Sequence, residues 1–357
     1  MSSLISIGSA ESVNLDKMKK LYLPIFIFLF APLVICAQKK RTEDFQLTLP
    51  EQKVHNSLYS SIRFIDARFD TTSIGIIQRG ALNMGVKLVT RQPLKEQAKA
   101  AFIALTDSTA KAGELILHVR QFSLVEMAAG ALGQKGYCYM RANLFASNDS
   151  SYRLLSSFDS VVVVKSSYDV TKDLLKTGSD VITGFIAGNL LKEPVETEAL
   201  SLDDIYRIDS LEKRNLAVYN TPVYKDGVYR TFRSFINQTP DGQITAKVKK
   251  KEIWDIYVFN EKGKKEKVWQ KDTYAVIYNG IPYISTEFDY YPLHKKDDDF
   301  YFTGRARAAV ISADGIVTSI LFLGLLGSLV MPYGDATFEM KIDHLNGSFI
   351  RLKQVKK

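Results

Sequence analysis

Apolar residues recur with two different periods in the first half of the chain. Alternate spacing, which is typical of strands with one buried face, occurs in residues 61–70 and 85–90. Helical spacing of three and four residues follows. Its apolar residues are Leu94, Ala98, Ala101, Phe102 and Leu105. This order predicts strands and a helix within one mixed domain.

Three further alternating segments predict a meander of antiparallel strands. They are residues 114–124, 137–146 and 151–164. One face of the middle segment carries Cys138, Met140, Ala142 and Leu144. Because side chains alternate across a strand, Arg141 lies on the opposite face, together with two tyrosines.

A second helix is predicted directly after Asp169, whose side chain is suited to cap it. Its apolar stripe consists of Val170, Leu174, Val181, Phe185 and Leu190. Residues 192–204 are acidic and lose periodicity, which indicates a linker. Ser201 is suited to cap a short helix after that linker.

The last third of the chain alternates again, with short turns between its strands. Asn279–Gly280 is the strongest hairpin signal, and Asn346–Gly347 is a second one. Near Tyr229, the spacing of Phe232 and Phe235 predicts a short helix that folds its aromatic rings onto a strand. These signals predict a mainly antiparallel sheet structure.

Together the patterns predict an α+β fold. An N-terminal mixed sheet with two helices is followed by a mainly antiparallel β domain that carries an apolar helical insertion. The predicted segments are a signal segment over 1–37, an α+β domain over 41–191, a linker with a short helix over 192–215 and a β-rich domain over 220–357.

The apolar run over 316–331 raises the question of a membrane span. As a helix its sixteen residues reach about 24 Å, short of the ~30 Å hydrocarbon core of a bilayer. The segments 299–312 and 336–353 on either side alternate like strands of one sheet, and a single crossing would separate them.

We therefore favour an apolar helix, or a helical hairpin broken near Gly324, that packs on the sheet or dips into a membrane surface. A true span stays open as the alternative. The candidate residues for membrane or partner contact are Ile316, Leu321, Phe322, Leu323, Leu325, Leu326 and Leu329.

Residues 18–38 have the three parts of a secretory signal in order. Two lysines precede an apolar stretch over 21–35, and Ala37 supplies a small residue before the predicted cut. Translation is predicted to start at Met18. We expect export to the periplasm or the outer membrane of a Gram-negative cell envelope.

Two alternatives to a cleaved signal stay open. Acylation of Cys36 would make the protein a lipoprotein, although Ile35 occupies a position where a small residue is preferred. An uncleaved anchor is the other alternative, because basic residues follow the segment at once.

Five stretches occur in order between Phe64 and Leu191: DARFDTTSIG, ELILHVRQFSLVE, YMRANLF, YRLLSSFDS and DVTKDLL. This succession resembles the auxiliary lipoproteins of ABC-type transport systems and related small periplasmic α+β lipoproteins. The resemblance implies an envelope component that binds a partner or a lipid.

A second motif lies in the C-terminal half. It consists of Gly227, Tyr229, Phe232, Phe235, Asn237 and Pro240. The motif resembles one that recurs in an uncharacterised family of exported Bacteroidetes proteins. That resemblance implies no activity.

The net charge of +8 comes mostly from lysine and does not indicate a nucleic-acid footprint. Lysines cluster at 247–251 and 262–267, where they either protect strand edges and turns or bind lipid headgroups. The candidate residues for headgroup contact are Lys249, Lys250, Lys251, Lys264 and Lys265.

Neither a catalytic nor a metal-binding motif is recognisable. The four histidines, His55, His118, His294 and His344, are scattered singly. Asp297–Asp299 is interpreted as a charged turn, and Cys138 as a small core residue. We expect no catalytic residue, no metal ligand and no cofactor.

The sequence therefore favours a non-catalytic cell-envelope protein, exported and membrane-associated, that binds a protein or lipid partner. The expected partner is a membrane surface or an envelope protein and not a nucleic acid. Two alternatives stay open: an integral membrane protein with a true span at 316–331, and a secreted hydrolase with an unrecognised site.

Overall fold

The computed structural model describes residues 42–79, 84–128, 134–148, 151–166, 169–194, 198–249, 252–259, 262–307 and 335–355. The signal segment and the apolar run over 316–331 lie outside these residues, so both interpretations stay predictions. The described residues from Glu43 onwards belong to one compact unit. The domain boundaries given above likewise stay predictions.

The N-terminal half forms a seven-stranded mixed sheet. Its strands are β1 (Thr42–Asp44), β2 (Tyr59–Asp66), β3 (Gly75–Arg79), β4 (Met84–Val89), β5 (Gly113–Ala128), β6 (Gln134–Asn148) and β7 (Ser151–Ser166). Strands β2 and β3 pair with β5 in parallel, whereas β5, β6 and β7 form the predicted antiparallel meander.

Two helices cover one face of this sheet, α1 (Leu94–Leu105) and α2 (Thr171–Ala187). The predicted apolar stripe of α1 is buried over its whole length. Cys138 and Leu174 lie in the same apolar core, as do the other residues predicted on that face of β6. Burial raises the pKa of the Cys138 thiol to about 12, which fits an inert core residue. The predicted mixed sheet with two helices is confirmed.

Short helices connect the two halves of the chain. They are α3 (Leu202–Tyr206), α4 (Ile208–Lys213) and α5 (Ala217–Asn220). Ser201 caps α3 as predicted, because its hydroxyl accepts a hydrogen bond from the Asp204 backbone N–H. The single short helix that we expected is two helices, since Arg207 leaves the helical conformation between them.

The described residues of the C-terminal half form three antiparallel sheets. The first contains β9 (Ile244–Lys249), β10 (Glu252–Phe259) and β11 (Lys265–Val268). The second contains β8 (Gly227–Tyr229), β12 (Ala275–Tyr278), β13 (Ile281–Ser285) and β14 (Tyr290–Pro292). The third contains β15 (His294–Lys296), β16 (Asp299–Arg307), β17 (Asp335–Ile342) and β18 (Phe349–Gln354). The α+β fold class is confirmed.

Local signals in this half are also confirmed. Asn279 and Gly280 both have positive φ, 52° and 73°, as a type I′ turn between β12 and β13 requires. After β8 comes α6 (Phe232–Ile236), and the ring of Phe235 meets that of Tyr229 edge-on at 5.7 Å. Both rings are buried in the C-terminal core.

Strands β16 and β17 pair along seven residues, from Tyr301 opposite Lys341 to Arg307 opposite Asp335. The prediction that the segments flanking the apolar run share one antiparallel sheet is therefore confirmed. Among the described residues, no helix has both the length and the apolar character needed to cross a bilayer.

Candidate functional site

A cavity of about 350 Å³ lies between the large sheet, the beginning of α4 and the β17–β18 turn. We call it the polar cavity. Its polar lining includes His118, Arg120, Arg141, Asp209, Asp343 and His344. These residues come from both halves of the chain, so the cavity exists only once the halves have packed together.

A bulge in β5 places the first residues of this lining. The pairing of β5 with β6 shifts by one residue between Val119 and Gln121, so Arg120 is left without a cross-strand partner. His118 pairs with Asn143, and Arg141 pairs with Gln121. Residues directly opposite each other share a face of the sheet, so His118 and Arg141 lie on the face away from the main core.

Arg120 is the centre of one ion cluster. Its two terminal nitrogens donate to the Glu212 carboxylate, both at 2.8 Å, and Nη2 also donates to Asp209 Oδ1 at 2.6 Å. Nε2 of His344 lies 2.7 Å from Glu212 Oε2. Burial alone raises the pKa of Glu212, but the hydrogen bonds from His344 and Arg120 outweigh it and lower the pKa to about 2.

Arg141 is the centre of a second cluster. Its Nε donates to Asp159 Oδ2 at 3.0 Å and its Nη1 donates to Asp343 Oδ2 at 2.6 Å. The backbone N–H of Leu345 donates to the other oxygen of Asp343, so the turn holds this carboxylate towards Arg141. Arg141 Nη2 is buried and has no hydrogen-bond partner among the described residues.

His118 lies beside these clusters and is only 2% exposed. Its Nδ1 also has no hydrogen-bond partner in the described part of the chain. Burial and, to a smaller degree, the charge of Arg120 lower the pKa of His118 to about 4. The imidazole is therefore neutral at pH 7.

Asp209, Glu212 and His344 bring candidate metal-ligand atoms within 4.8 Å of one another. Asp209 and Glu212 are three residues apart on α4, but His344 lies 132 positions after Glu212, so the grouping of all three is not visible in the sequence. However, the guanidinium of Arg120 contacts both carboxylates. A divalent cation would meet this positive charge at the same oxygens, so the arrangement suits an ion-pair network better than a metal centre.

A third ion cluster lies near the cavity. Asp299 begins β16, and its carboxylate accepts hydrogen bonds from Lys213 Nζ at 2.6 Å and Lys341 Nζ at 2.9 Å. Asp297 and Asp298 have positive φ and form the turn between β15 and β16. The charged turn that we predicted is thus confirmed for two of its three residues, and the third is a buried ion-pair partner.

A separate feature lies on the outer face of the β9–β10–β11 sheet. We call it the lysine–aromatic face. It consists of Lys247, Tyr257, Phe259, Lys265, Lys267 and Trp269. The ammonium groups of its lysines lie over the rings of Tyr257, Phe259 and Trp269, at 5.5, 5.7 and 4.9 Å from the ring centroids. Phe259 and Trp269 are 52% and 54% exposed.

Strand alternation explains why these side chains share one face. Tyr257 is opposite Lys267 and Phe259 is opposite Lys265 in the pairing of β10 with β11. Ile256 lies next to Tyr257 on the other face, where it is fully buried against the neighbouring sheet. The inner face is thereby anchored, and the outer face is presented to solvent.

The structure describes only part of the candidate site predicted from the sequence. Lys264 and Lys265 are exposed near the start of β11, and Lys249 is the last residue of β9. Lys250 and Lys251 lie outside the described residues, and so do all the apolar contact residues. Those are Ile316, Leu321, Phe322, Leu323, Leu325, Leu326 and Leu329.

Sequence reasoning missed the aromatic members of the lysine–aromatic face. Tyr257 and Phe259 alternate with apolar residues in β10, which was the available signal. It also missed the polar cavity. The signal there was weak: His118 and Arg141 are polar residues within strongly apolar strands.

No family model matches this chain, and neither does any curated protein. Two solved structures are similar in part. One is an uncharacterized protein, with 12% identity and a TM-score of 0.28, over 42% of this chain and 95% of its own. The other is a Xanthomonas campestris protein of the family DUF330, with 18% identity and a TM-score of 0.28, over 47% of this chain and 99% of its own. At these TM-scores neither likeness carries an argument.

Proposed function

We propose that this protein is a non-catalytic, exported component of the cell envelope that binds an anionic membrane surface through the lysine–aromatic face. The observation that carries this proposal is the set of three lysine–ring contacts on one exposed sheet face. Lysine near an anionic bilayer contributes about 1 kcal/mol per residue, and aromatic rings prefer the headgroup level.

The charge of this region supports the proposal. Residues 244–269 contain eight lysines and four acidic residues, so this short stretch accounts for half of the chain's net charge of +8. One of the acids, Asp255, is 2.5 Å from Lys267 Nζ, which fixes the lysine next to Trp269. The face therefore combines a positive surplus with exposed rings in a fixed arrangement.

The envelope location is supported by the sequence. Residues 18–38 carry the signal pattern, and the succession of stretches between Phe64 and Leu191 resembles envelope lipoproteins. The direct pairing of β16 with β17 favours this proposal over a single span between them, which would put the two strands on opposite sides of a bilayer.

The hydrolase alternative receives less support from the polar cavity. Asp209 and Asp343, the carboxylates in its lining, are each paired with an arginine. A general acid for hydrolysis needs a raised pKa, and the ion pair of Glu212 with Arg120 instead lowers one. The geometry favours binding over catalysis.

Vesicle co-sedimentation tests the proposal. The full chain is compared with the double variant Lys247→Glu/Lys265→Glu on vesicles of neutral phosphatidylcholine with and without an anionic phosphatidylglycerol fraction. We expect the variant to lose at least about tenfold in partitioning onto anionic vesicles, because two charges are reversed, and to lose little on neutral ones. Raised salt should weaken the binding of the unsubstituted protein.

The matched control is Lys95→Glu/Lys99→Glu, which reverses two exposed charges on α1. Both double variants keep all apolar segments, so a difference between them reports on the lysine–aromatic face. Equal losses of vesicle binding in the two double variants would show that only the overall charge of the protein matters. That result would refute the lysine–aromatic face as the binding surface.

The aromatic contribution needs a second pair of variants. Trp269→Ala removes an exposed ring from the face, whereas Ile103→Ala removes an exposed apolar side chain from α1. Only Trp269→Ala should weaken vesicle binding. Export is tested by N-terminal sequencing of the mature protein together with fractionation, and a cytoplasmic protein that begins upstream of Met18 would contradict it.

A further inference from the structure

The polar cavity has the size of a small-molecule site. Its volume of about 350 Å³ is at the lower end of the range found for ligand pockets. One wall is the outer face of β5 and β6, and the opposite wall is the β17–β18 turn with the beginning of α4. Neither the proposed membrane binding nor the fold assigns it a role.

The charges around the cavity are paired with one another. The guanidiniums of Arg120 and Arg141 each contact two carboxylates. The other two cationic side chains of the lining, Arg207 and Lys341, contact Asp203 and Asp299. An anion entering the cavity would meet carboxylates beside each arginine, and a cation would meet the arginines. An uncharged ligand avoids both the repulsion of an anion by the carboxylates and the repulsion of a cation by the arginines.

Two buried polar atoms of the lining residues are not used in the hydrogen bonds described above. Arg141 Nη2 and His118 Nδ1 have no hydrogen-bond partner among the described residues, and both side chains are more than nine-tenths buried. They lie on neighbouring strands and on the same face of the sheet. A hydroxyl group both donates and accepts, so hydroxyls match the arginine donor and either tautomer of the neutral imidazole.

Two aromatic side chains border the same cavity. Phe69 and Tyr206 are 62% and 60% exposed, although large aromatic residues are usually buried. Tyr206 ends α3, and Phe69 follows β2. Their rings offer flat apolar surfaces next to a polar interior.

We propose that the polar cavity binds an uncharged sugar ring. Such a ring has hydroxyls around its edge, which match the hydrogen-bonding groups of Arg141 and His118, and apolar C–H faces, one of which stacks on Phe69 or Tyr206. With about twelve heavy atoms, a single ring is expected to bind with a Kd of about 1 mM.

Isothermal titration calorimetry on the full chain tests this inference. The probes are glucose, N-acetylglucosamine and maltose, with glucose 6-phosphate and glucuronate as charged analogues. At least one neutral sugar should bind, and its charged analogue should bind no more tightly. Absence of binding by all three neutral sugars at about 10 mM, or a charged analogue that binds tenfold more tightly, would overturn the inference.

Variants show whether the cavity is the site. Phe69→Ala and Tyr206→Ala change exposed residues, and at least one of the two variants should weaken sugar binding about fivefold to tenfold, since the stacked ring is lost. Trp269→Ala on the lysine–aromatic face is the control and should leave sugar binding unchanged. Unchanged binding in both cavity variants would place the sugar elsewhere and refute the inference.

The same variants separate this inference from the proposed membrane binding. The cavity variants should keep vesicle binding, and Trp269→Ala should keep sugar binding. A short peptide of neutral residues is the final probe, and tighter binding of that peptide than of any sugar would contradict the assignment of a sugar.

Discussion

Arg141 and Asp343 are 202 positions apart in the sequence and form a buried ion pair, with Nη1 of the arginine 2.6 Å from Oδ2 of the aspartate. The pair joins the large sheet to the β17–β18 turn. Replacing Asp343 by alanine would leave the arginine charge buried with only its half-exposed partner Asp159. We expect Asp343→Ala to lower the free energy of unfolding by about 3 kcal/mol in urea denaturation.

An exposed ion pair provides the control for that variant. Lys176 and Asp180 are four residues apart on α2, and both side chains are largely in solvent. Lys176→Ala should change the free energy of unfolding by less than about 0.5 kcal/mol. Similar losses in the two variants would show that burial does not decide the strength of these pairs.

His118 gives the stability a pH dependence in the mildly acidic range. Because its pKa is about 4 in the folded protein and 6.5 for an unperturbed histidine, the unfolded chain binds a proton between these values that the folded protein does not. The free energy of unfolding therefore falls as the pH drops from 6.5 to about 4. His118→Gln should flatten this slope in urea titrations at several pH values, and the exposed His294→Gln is the control.

Glu212 extends the dependence to lower pH. Its pKa is about 2 in the folded protein against 4.5 for the free side chain. The contribution of Glu212 to the free energy of unfolding is therefore complete above pH 4.5 and is lost as the pH falls towards 2. Glu212→Gln should lower the free energy of unfolding, measured by urea denaturation, by about 2 to 3 kcal/mol at pH 7 and by little at pH 2. An equal cost at both pH values would mean that packing, and not charge, makes the contribution. The exposed Glu51→Gln is the control.

Two glycines of α2 should respond in opposite directions to alanine. A Cβ at Gly184 meets nothing within 4 Å, whereas a Cβ at Gly178 lies 2.9 Å from the side chain of Leu124. Gly184→Ala should stabilise the protein by about 0.5 to 1 kcal/mol, because alanine favours the helix. Gly178→Ala should destabilise it by about 1 to 2 kcal/mol, because the core is overpacked. Thermal unfolding of both variants checks this, and a shift of the same sign in both would contradict it.

The predictable parts of the fold are the helices, strands and turns that depend only on residues close together in the sequence. The stripe of α1 and the alternating face around Cys138 predict burial directly, since each requires only a neighbouring apolar surface. The turn at Asn279–Gly280 was likewise determined by the conformational preferences of two residues. The bulge at Arg120 was not predictable, because a shift of register is defined only by the partner strand.

The candidate sites were harder to predict because they depend on contacts between distant segments. Lys265 was identified from a basic cluster, but its partner Phe259 became apparent only from the register of β10 and β11. The polar cavity needs His344 to meet residues more than 130 positions earlier in the chain. The periodicity of apolar residues is a local property and does not predict contacts between such distant residues.

The direct opposition of Arg307 and Asp335 has a practical consequence for engineering. The 27 residues between them start and end at adjacent rungs of one ladder, so a two-residue Asn-Gly turn could join β16 to β17 in their place. Closing that shorter connection costs about 2 kcal/mol less loop entropy. A chain shortened in this way would retain the third sheet of the C-terminal half as an ordinary hairpin ladder, ready for crystallisation or for grafting a foreign loop.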